Sequence, residues 1–155
     1  MEKQFVEFLF KAKRNTYAVG ENGVKEPQSD GSTIMRYQNK QLVYVDRFYG
    51  GEPYIGEEIL FYDNMAVWGM NYTGRLIEAN WNLRGDVYAF LQMALKENGA
   101  AFPARGPEIY RDADYTYRTN IKGTVEFFSG YEEVLFRGEV IYKGYYHGGS
   151  VNTNN

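Results

Sequence analysis

Two stretches of the chain resemble each other and predict two β-hairpins of the same design. Residues 54–74 read YIGEEILFYDNMAVWGMNYTG, and residues 128–148 read FSGYEEVLFRGEVIYKGYYHG. At an offset of 74 residues the identical pairs are Gly56/Gly130, Glu58/Glu132, Tyr72/Tyr146 and Gly74/Gly148. Asp63-Asn64 falls where a two-residue turn needs positive φ, and Arg137-Gly138 falls at the equivalent place. The chain is therefore predicted to contain one hairpin twice.

A predicted helix precedes each group of strands. Apolar residues recur at helical spacing in two segments, Phe5/Phe8/Leu9/Ala12 and Val87/Phe90/Leu91/Ala94/Leu95. The order is then helix, three or four strands, helix, three or four strands. We predict an α+β fold of two αβββ-like halves that form an antiparallel sheet, or a half-barrel, packed against two helices.

The length and hydrophobic content indicate one domain with its own core. The chain has 155 residues, of which 44% are hydrophobic. We expect a single domain over residues 1–149, made of pseudo-repeats at about 1–78 and 79–149. The polar tail 150–155 is predicted to be disordered.

The faces of the first hairpin carry the main functional argument. The predicted strands are 34–37, 41–49, 57–62, 65–72, 115–120, 123–128, 131–136 and 139–146. A two-residue turn at 63–64 places Leu60 and Val67 on one face and Ile59 and Trp68 on the other, so neither face is polar. Two helices cover only one face of a sheet. The other face is predicted to be a ligand pocket, a homodimer interface, or a surface covered by long loops.

Composition excludes several classes of function. The chain has no cysteine, which removes disulfides, thiolate catalysis and cysteine-ligated metal sites. The net charge is −3 with no basic block, so we expect no direct DNA binding. No apolar run reaches the length of a membrane span, so we expect a soluble protein without membrane contact. The absence of cysteine fits a reducing compartment, and we expect a cytoplasmic protein.

Two glutamates are candidates for catalysis. Glu58 and Glu132 fall at equivalent positions of the two hairpins and could act as acid and base, or hold a cation. Alternatively they lie at strand ends, where they reach water or pair with Lys143. His147 is the only histidine, and Asp112 and Asp114 lack the further ligands of a calcium loop, so no metal or cofactor is predicted.

Arginines beside aromatic residues predict a binding site for a planar or phosphorylated molecule. Aromatic residues make up 17% of the chain, including 15 tyrosines. Arginine next to aromatic rings stacks on planar groups and binds phosphate. The arginines that lie close in sequence to Tyr, Phe or Pro are Arg47, Arg75, Arg105 and Arg118. The predicted ligand-binding residues are Arg47, Trp68, Asn71, Tyr72, Arg75, Arg118, Tyr142, Tyr146 and His147.

Four phrases of the sequence support a family resemblance. They are VDRFYGGEPYIGEE, VWGMNYTGRL, RGPEIYRDADYTY and GYEEVLFRGEVIYKGYYHGG. With these phrases the chain resembles an uncharacterised prokaryotic family of small domains, found alone or C-terminal to helix-turn-helix modules in inferred regulators. The resemblance implies a sensing or ligand-binding domain in free-standing form.

The leading hypothesis is a non-enzymatic domain that binds a small aromatic or nucleotide-like molecule. Such a domain could sense or sequester a nucleotide signal, as small phage-encoded counter-defence proteins do. One alternative is an enzyme that uses Glu58 or Glu132 as general base. The other alternative is a homodimeric interaction module that has no small ligand.

Overall fold

The structure is a computed structural model that describes residues 1–16, 24–97, 102 and 104–151. In chain order the elements are α1 (Lys3–Asn15), β1 (Glu26–Pro27), β2 (Ser32–Asn39), β3 (Leu42–Gly50), β4 (Tyr54–Tyr62), β5 (Met65–Leu76), a 3-10 helix (Glu78–Leu83), α2 (Arg84–Lys96), β6 (Ile109–Asp112), β7 (Tyr115–Thr124), β8 (Phe127–Phe136) and β9 (Glu139–Ser150).

The strands form one antiparallel sheet in the order β1-β2-β3-β4-β5-β9-β8-β7-β6. Strands β1 to β5 pair consecutively as one meander, and β6 to β9 pair consecutively as a second. The pairing of β5 with β9 joins the two meanders into a continuous sheet. The described fold is therefore dominated by this sheet, with two 13-residue helices added to it.

The predicted α+β fold of two αβββ-like halves is wrong, because one long antiparallel sheet dominates the described fold and the two helices are short additions to it. The sheet has nine strands, and the predicted strands did not include β1 and β6. Asp112 and Asp114, which lack the further ligands of a calcium loop, belong to the β6–β7 hairpin, in which Asp112 pairs with Tyr115. The predicted strand 139–146 extends to Ser150, and both Gly148 and Gly149 pair with β5 inside the sheet. The predicted strand 123–128 is divided by the turn between β7 and β8.

Both hairpin turns are confirmed. Asp63 and Asn64 have φ of 47° and 65°, and Arg137 and Gly138 have φ of 49° and 88°. These positive values match the right-handed twist of the flanking strands.

A β-bulge corrects the predicted faces of the first hairpin. Leu60 pairs with Trp68 rather than with Val67, because Val67 is the extra residue of the bulge. Trp68 therefore lies on the same face as Glu58 and Leu60, and Asn71 lies on the opposite face. The two apolar faces that the sequence predicted came from missing this one residue.

Both helices pack on the same, inner face of the sheet. The apolar stripes predicted for α1 and α2 are confirmed, since all nine side chains are buried. The core around α1 contains sheet residues Tyr44, Leu60, Trp68, Met70, Phe128 and Tyr146. The core around α2 contains Leu76, Tyr117, Val134, Ile141 and Tyr142.

The register of the strands supports the proposed duplication. Strand β9 begins and ends 74 residues after β5, and the register shifts lie at Leu60/Phe61 and Val134/Leu135, again 74 residues apart. Tyr72 and Tyr146, themselves equivalent, pair with each other. The division into two pseudo-repeats remains a proposal. In the tail, Ser150 ends β9 and the Val151 amide donates to the Val67 carbonyl, while residues 152–155 lie outside the described residues.

Repeated glycines let tyrosine rings lie flat across neighbouring strands. Gly56 pairs with Tyr72, and a Cβ added at Gly56 would lie 2.4 Å from the Tyr72 ring. Gly130 pairs with Tyr146, where the added Cβ would lie 2.6 Å from the ring. The identical Gly and Tyr positions of the two hairpins are therefore explained by packing.

Candidate functional site

A cavity of about 530 Å³ lies on the inner face of the sheet, beside α1 and α2. Aromatic rings, charged side chains and backbone of α2 share its wall. Its lining includes Lys13, Lys25, Tyr44, Asp46, Phe48, Tyr54, Glu58, Tyr72, Arg84, Gly85, Tyr88 and Arg105. We call this the inner cavity.

Two carboxylates lie side by side on the sheet wall of the inner cavity. Asp46 on β3 and Glu58 on β4 are direct partners in the antiparallel register and point to the same face. Asp46 is 2% exposed and Glu58 is 4% exposed. Buried carboxylates this close to each other repel when both are ionised.

Each carboxylate has a different set of donors. The Tyr72 hydroxyl donates to Oδ1 of Asp46 at 2.5 Å. Lys13 of α1 places Nζ 2.5 Å from Oε2 of Glu58, while it also donates to the Ala104 carbonyl. The Tyr44 hydroxyl also hydrogen-bonds with Glu58, so among the described residues Glu58 has two neighbouring donors and Asp46 has one. The pair of carboxylates is thus held in place with acceptor capacity left over.

Burial and mutual repulsion change the protonation of this cluster. Burial, and then the neighbouring charge of Glu58, raises the pKa of Asp46 to about 7, against the opposing effects of Tyr72, Lys13 and Arg105. Burial also lowers the pKa of the Lys13 ammonium, although Glu58 counteracts this. Asp46 can therefore gain or lose a proton near neutral pH.

The equivalent glutamate of the second hairpin is fully engaged. Arg105 binds the Glu132 carboxylate through Nε, 2.9 Å from Oε2, and through Nη2 on Oε1. Tyr117 donates to Oε2 at 2.9 Å, and Tyr142 donates to Oε1 at 3.3 Å. The Arg105 guanidinium also lies 5.9 Å from the ring centroid of Tyr72. Arg105 thus joins the Glu132 network to the wall of the inner cavity.

Exposed cations mark the opening of the inner cavity. Lys25 and Arg84 are exposed, and both contribute to the lining. Arg84 is the first residue of α2, and its guanidinium lies 5.6 Å from the ring centroid of Trp81. Gly85 brings the first turn of α2 to the same opening. Two exposed cationic side chains thus contribute to the lining, whereas the sheet wall carries the carboxylates.

The predicted ligand-binding residues divide between the two faces of the sheet. Those on the inner face are Trp68, Tyr72, Tyr142 and Tyr146, and those on the outer face are Arg47, Asn71, Arg75, Arg118 and His147. Trp68 is fully buried, donates from Nε1 to the Val125 carbonyl at 2.9 Å, and stacks on Phe128. The structure therefore does not bring the predicted set together in one place.

The outer-face residues lie in or beside a shallow groove of about 960 Å³, which we call the outer groove. Asn71 and His147 are register partners in its floor. Arg47 lies 3.6 Å from Asp30, and Arg118 lies 2.6 Å from Glu133. Arg75 is exposed nearby and opposes Lys143 in the register.

The two candidate catalytic glutamates, Glu58 and Glu132, do not lie where the alternative prediction placed them, at strand ends or in a pair with Lys143. Neither lies at a strand end, and Lys143 approaches Glu133 at 3.9 Å rather than Glu132. Asp46 was missed because its place opposite Glu58 depends on the β3–β4 register. The sequence did offer a reason to select Asp46, because it is the one acidic residue within β3.

Two further findings concern metals and membranes. Across residues 1–16, 24–97, 102 and 104–151, no group of three or more histidine, aspartate or glutamate side chains is arranged to hold a metal ion. In the same segments, no helix has both the length and the apolar character required to cross a bilayer.

Comparison with known proteins identifies a family. The family described as Domain of unknown function (DUF5680) matches residues 46–151, and the chain belongs to it. The predicted resemblance to an uncharacterised family of small domains is confirmed to that extent, and the helix-turn-helix context stays a prediction. No curated protein and no solved structure matches the chain significantly.

Proposed function

We propose that this member of the DUF5680 family is a non-enzymatic domain that binds a small nucleotide-like molecule in the inner cavity. The observation that carries the proposal is a cavity with an aromatic and carboxylate wall and a cationic opening. On this proposal the domain senses or sequesters a nucleotide in the cytoplasm.

The size and lining of the inner cavity suit a small organic ligand. Its volume of about 530 Å³ falls in the range of roughly 300–1,000 Å³ that small-molecule sites occupy. Such sites combine apolar walls with a few convergent polar groups, which here are Asp46, Glu58 and Lys13.

The aromatic side chains favour a planar ligand. Phe48 and Tyr72 come from the sheet, whereas Tyr88 comes from α2. Tyr54 packs edge-to-face against both Tyr72 and Tyr88, which holds these rings in fixed orientations. Fixed rings stack on a planar molecule with little loss of side-chain entropy.

The buried charges favour a polar ligand over a purely structural role. Replacing a buried ion pair with apolar residues is often neutral or stabilising, so stability alone does not require Lys13 with Glu58. A second carboxylate, Asp46, adds repulsion to the same wall. A ligand that donates hydrogen bonds would offset this cost when it binds.

The opening favours a phosphate on the exposed end of the ligand. Arg84 supplies a guanidinium, which suits phosphate oxygens, and Lys25 adds a second positive charge.

A thermal-shift titration with AMP, GMP, CMP and UMP tests the proposal. At about 100 times its Kd, a bound nucleotide should raise the Tm by about 5–10 °C. The Asp46→Asn change should remove the rise, whereas Arg118→Ala on the outer face should keep it. If none of the four nucleotides raises the Tm of the wild type, nucleotide binding in the inner cavity is excluded.

The paired carboxylates also favour an enzyme as a second candidate. Two adjacent carboxyl groups with a shared proton can act as acid and base. Turnover of a bound nucleotide, followed by chromatography and lost in Glu58→Gln, would identify this activity. An unchanged nucleotide after prolonged incubation with wild-type protein supports simple binding.

Exposed apolar side chains on the outer face favour a homodimer as a third candidate. Ile55 is 58% exposed, Tyr145 is 57% exposed, and both line the outer groove. Size-exclusion chromatography over a dilution series tests this interface. A dimer that resists dilution in the wild type and dissociates in Ile55→Lys supports it, and a monomer at every concentration excludes it.

A further inference from the structure

We infer that the inner cavity selects ligands that carry a 2-amino-4-oxopyrimidine edge, as in guanine and in pterins. This inference rests on the proposed function, because it names the class of ring that the same cavity would bind. It depends on which hydrogen-bonding positions the sheet wall leaves available.

The wall of the inner cavity offers acceptors to a ligand. Ionised carboxylates only accept hydrogen bonds, and each oxygen has two acceptor positions. Asp46 receives one donor from the described residues, the Tyr72 hydroxyl on Oδ1. Glu58 is next to the Lys13 ammonium and also hydrogen-bonds with the Tyr44 hydroxyl. Asp46 is therefore the carboxylate with the greater capacity for a ligand.

A ligand edge that meets this wall must present donors next to each other. The guanine ring has an N1–H beside an exocyclic 2-amino group, so two parallel N–H groups can bind one carboxylate. A pterin ring carries the same pair of donors. Charge-assisted bonds of this bidentate kind are stronger than neutral ones and restrict the orientation of the ring.

Other nucleobases do not supply two adjacent donors. Adenine places a ring acceptor beside its amino group, cytosine does the same, and uracil places one N–H between two carbonyl groups. Each would direct a lone pair toward the carboxylate oxygens of Asp46 or Glu58. A polar site rejects such analogues strongly, because its buried groups remain unpaired.

The cations at the opening of the inner cavity should distinguish guanine nucleotides from pterins, the two classes of ligand that carry this hydrogen-bonding edge. Arg84 and Lys25 suit the phosphate of a guanine nucleotide. A pterin such as neopterin has an uncharged hydroxylated side chain and gains nothing from these cations. Relative affinity for GMP and neopterin therefore reports which class the cavity fits.

Calorimetric titration of the wild-type chain with GMP, IMP, neopterin and AMP tests the inference. IMP is the matched control, because it differs from GMP only by the missing 2-amino group. At about pH 8, where the Asp46 carboxyl is ionised, GMP should bind about 100-fold more tightly than IMP. Neopterin should also bind more tightly than IMP, whereas AMP should resemble IMP or bind more weakly.

Variants locate the selectivity in the inner cavity. Asp46→Asn should bring the affinities for GMP and IMP to within about threefold of each other. Arg84→Ala should weaken GMP and leave neopterin unchanged. Arg118→Ala, on the outer face, should leave all four affinities unchanged.

The outcomes separate this inference from the proposed function. Equal binding of GMP and IMP by the wild type, or tighter binding of AMP, overturns the selectivity while nucleotide binding stands. Absence of binding by all of the probes, with CMP and UMP included, overturns both. The comparison of GMP with IMP needs only the wild-type chain, so it does not depend on the folding of any variant.

Discussion

Glu58 and Glu132 hold equivalent positions in the two hairpins, yet their surroundings differ. Glu132 opposes Thr119 in the sheet and is bound by Arg105 and two tyrosine hydroxyls. Glu58 opposes Asp46, a second carboxylate, and has the Lys13 ammonium and the Tyr44 hydroxyl beside it. The first hairpin therefore places excess negative charge where the second has a satisfied network.

We propose that this difference reflects two roles, a structural site in the second hairpin and a ligand-binding site in the first. A satisfied buried network holds the fold in one arrangement, as Glu132 does between the sheet and the segment before β6. An incompletely satisfied group in a native structure requires an explanation. At Glu58 and Asp46 the proposed explanation is a ligand.

The largest predicted effect is the loss of the Glu132 network. Arg105→Ala leaves the Glu132 carboxylate buried without its cation, so the free energy of unfolding should fall by about 3–5 kcal/mol. Urea denaturation followed by circular dichroism measures the change. A loss below about 1 kcal/mol would show that the network is not structural.

The second largest predicted effect is a pH dependence of the free energy of unfolding that comes from Asp46. Asp46 has a higher pKa in the folded chain than in the unfolded chain, so its contribution is complete below about pH 4 and is lost as the pH rises to about 7. The groups that face it are Lys13, Glu58, Tyr72 and Arg105. At about 1.4 kcal/mol for each pKa unit, the loss amounts to a few kcal/mol.

Asp46→Asn tests this pH effect directly. The variant should lose the decline between about pH 4 and 7, and above pH 7 it should be at least as stable as the wild type. Urea denaturation across this pH range gives the two curves. Parallel curves for wild type and variant would contradict the raised pKa of Asp46.

Equivalent substitutions at features common to both hairpins should lower the free energy of unfolding by similar amounts. Gly56→Ala and Gly130→Ala each force a methyl group against a tyrosine ring, so each should cost about 1–3 kcal/mol. The same denaturation measurement applies to both variants. A severe cost in one hairpin and none in the other would weaken the proposed duplication.

The smallest predicted effect is on the outer face. Arg118 pairs with Glu133 much as Arg105 pairs with Glu132, but the Arg118 side chain is 51% exposed. Arg118→Ala should therefore change the free energy of unfolding by no more than about 1 kcal/mol. A cost that matches that of Arg105→Ala would show that burial does not distinguish the two pairs.

Local patterns in the sequence predicted local structure well. The apolar stripes of α1 and α2 follow from helical spacing, and Asp63-Asn64 and Arg137-Gly138 follow from the φ that a two-residue turn requires. These features depend on residues close together in the chain. They could therefore be predicted without knowledge of the tertiary structure.

Features that depend on pairing across strands could not be predicted in the same way. The bulge at Val67 moves Trp68 to the inner face, and only the register with Leu60 reveals it. Asp46 becomes part of the candidate site through its pairing with Glu58. Arg105 reaches Glu132 from a segment outside the helices and strands, where no periodicity exists to detect.

Calorimetric titration of GMP into Asp46→Asn and Thr119→Val tests most directly whether one equivalent position binds a ligand while the other is structural. Asp46 opposes Glu58, and Thr119 opposes Glu132. We predict that Asp46→Asn weakens GMP binding by about 100-fold, whereas Thr119→Val stays within about threefold of the wild type. Equal affinities in the two variants, whether retained or lost together, would contradict this division of roles.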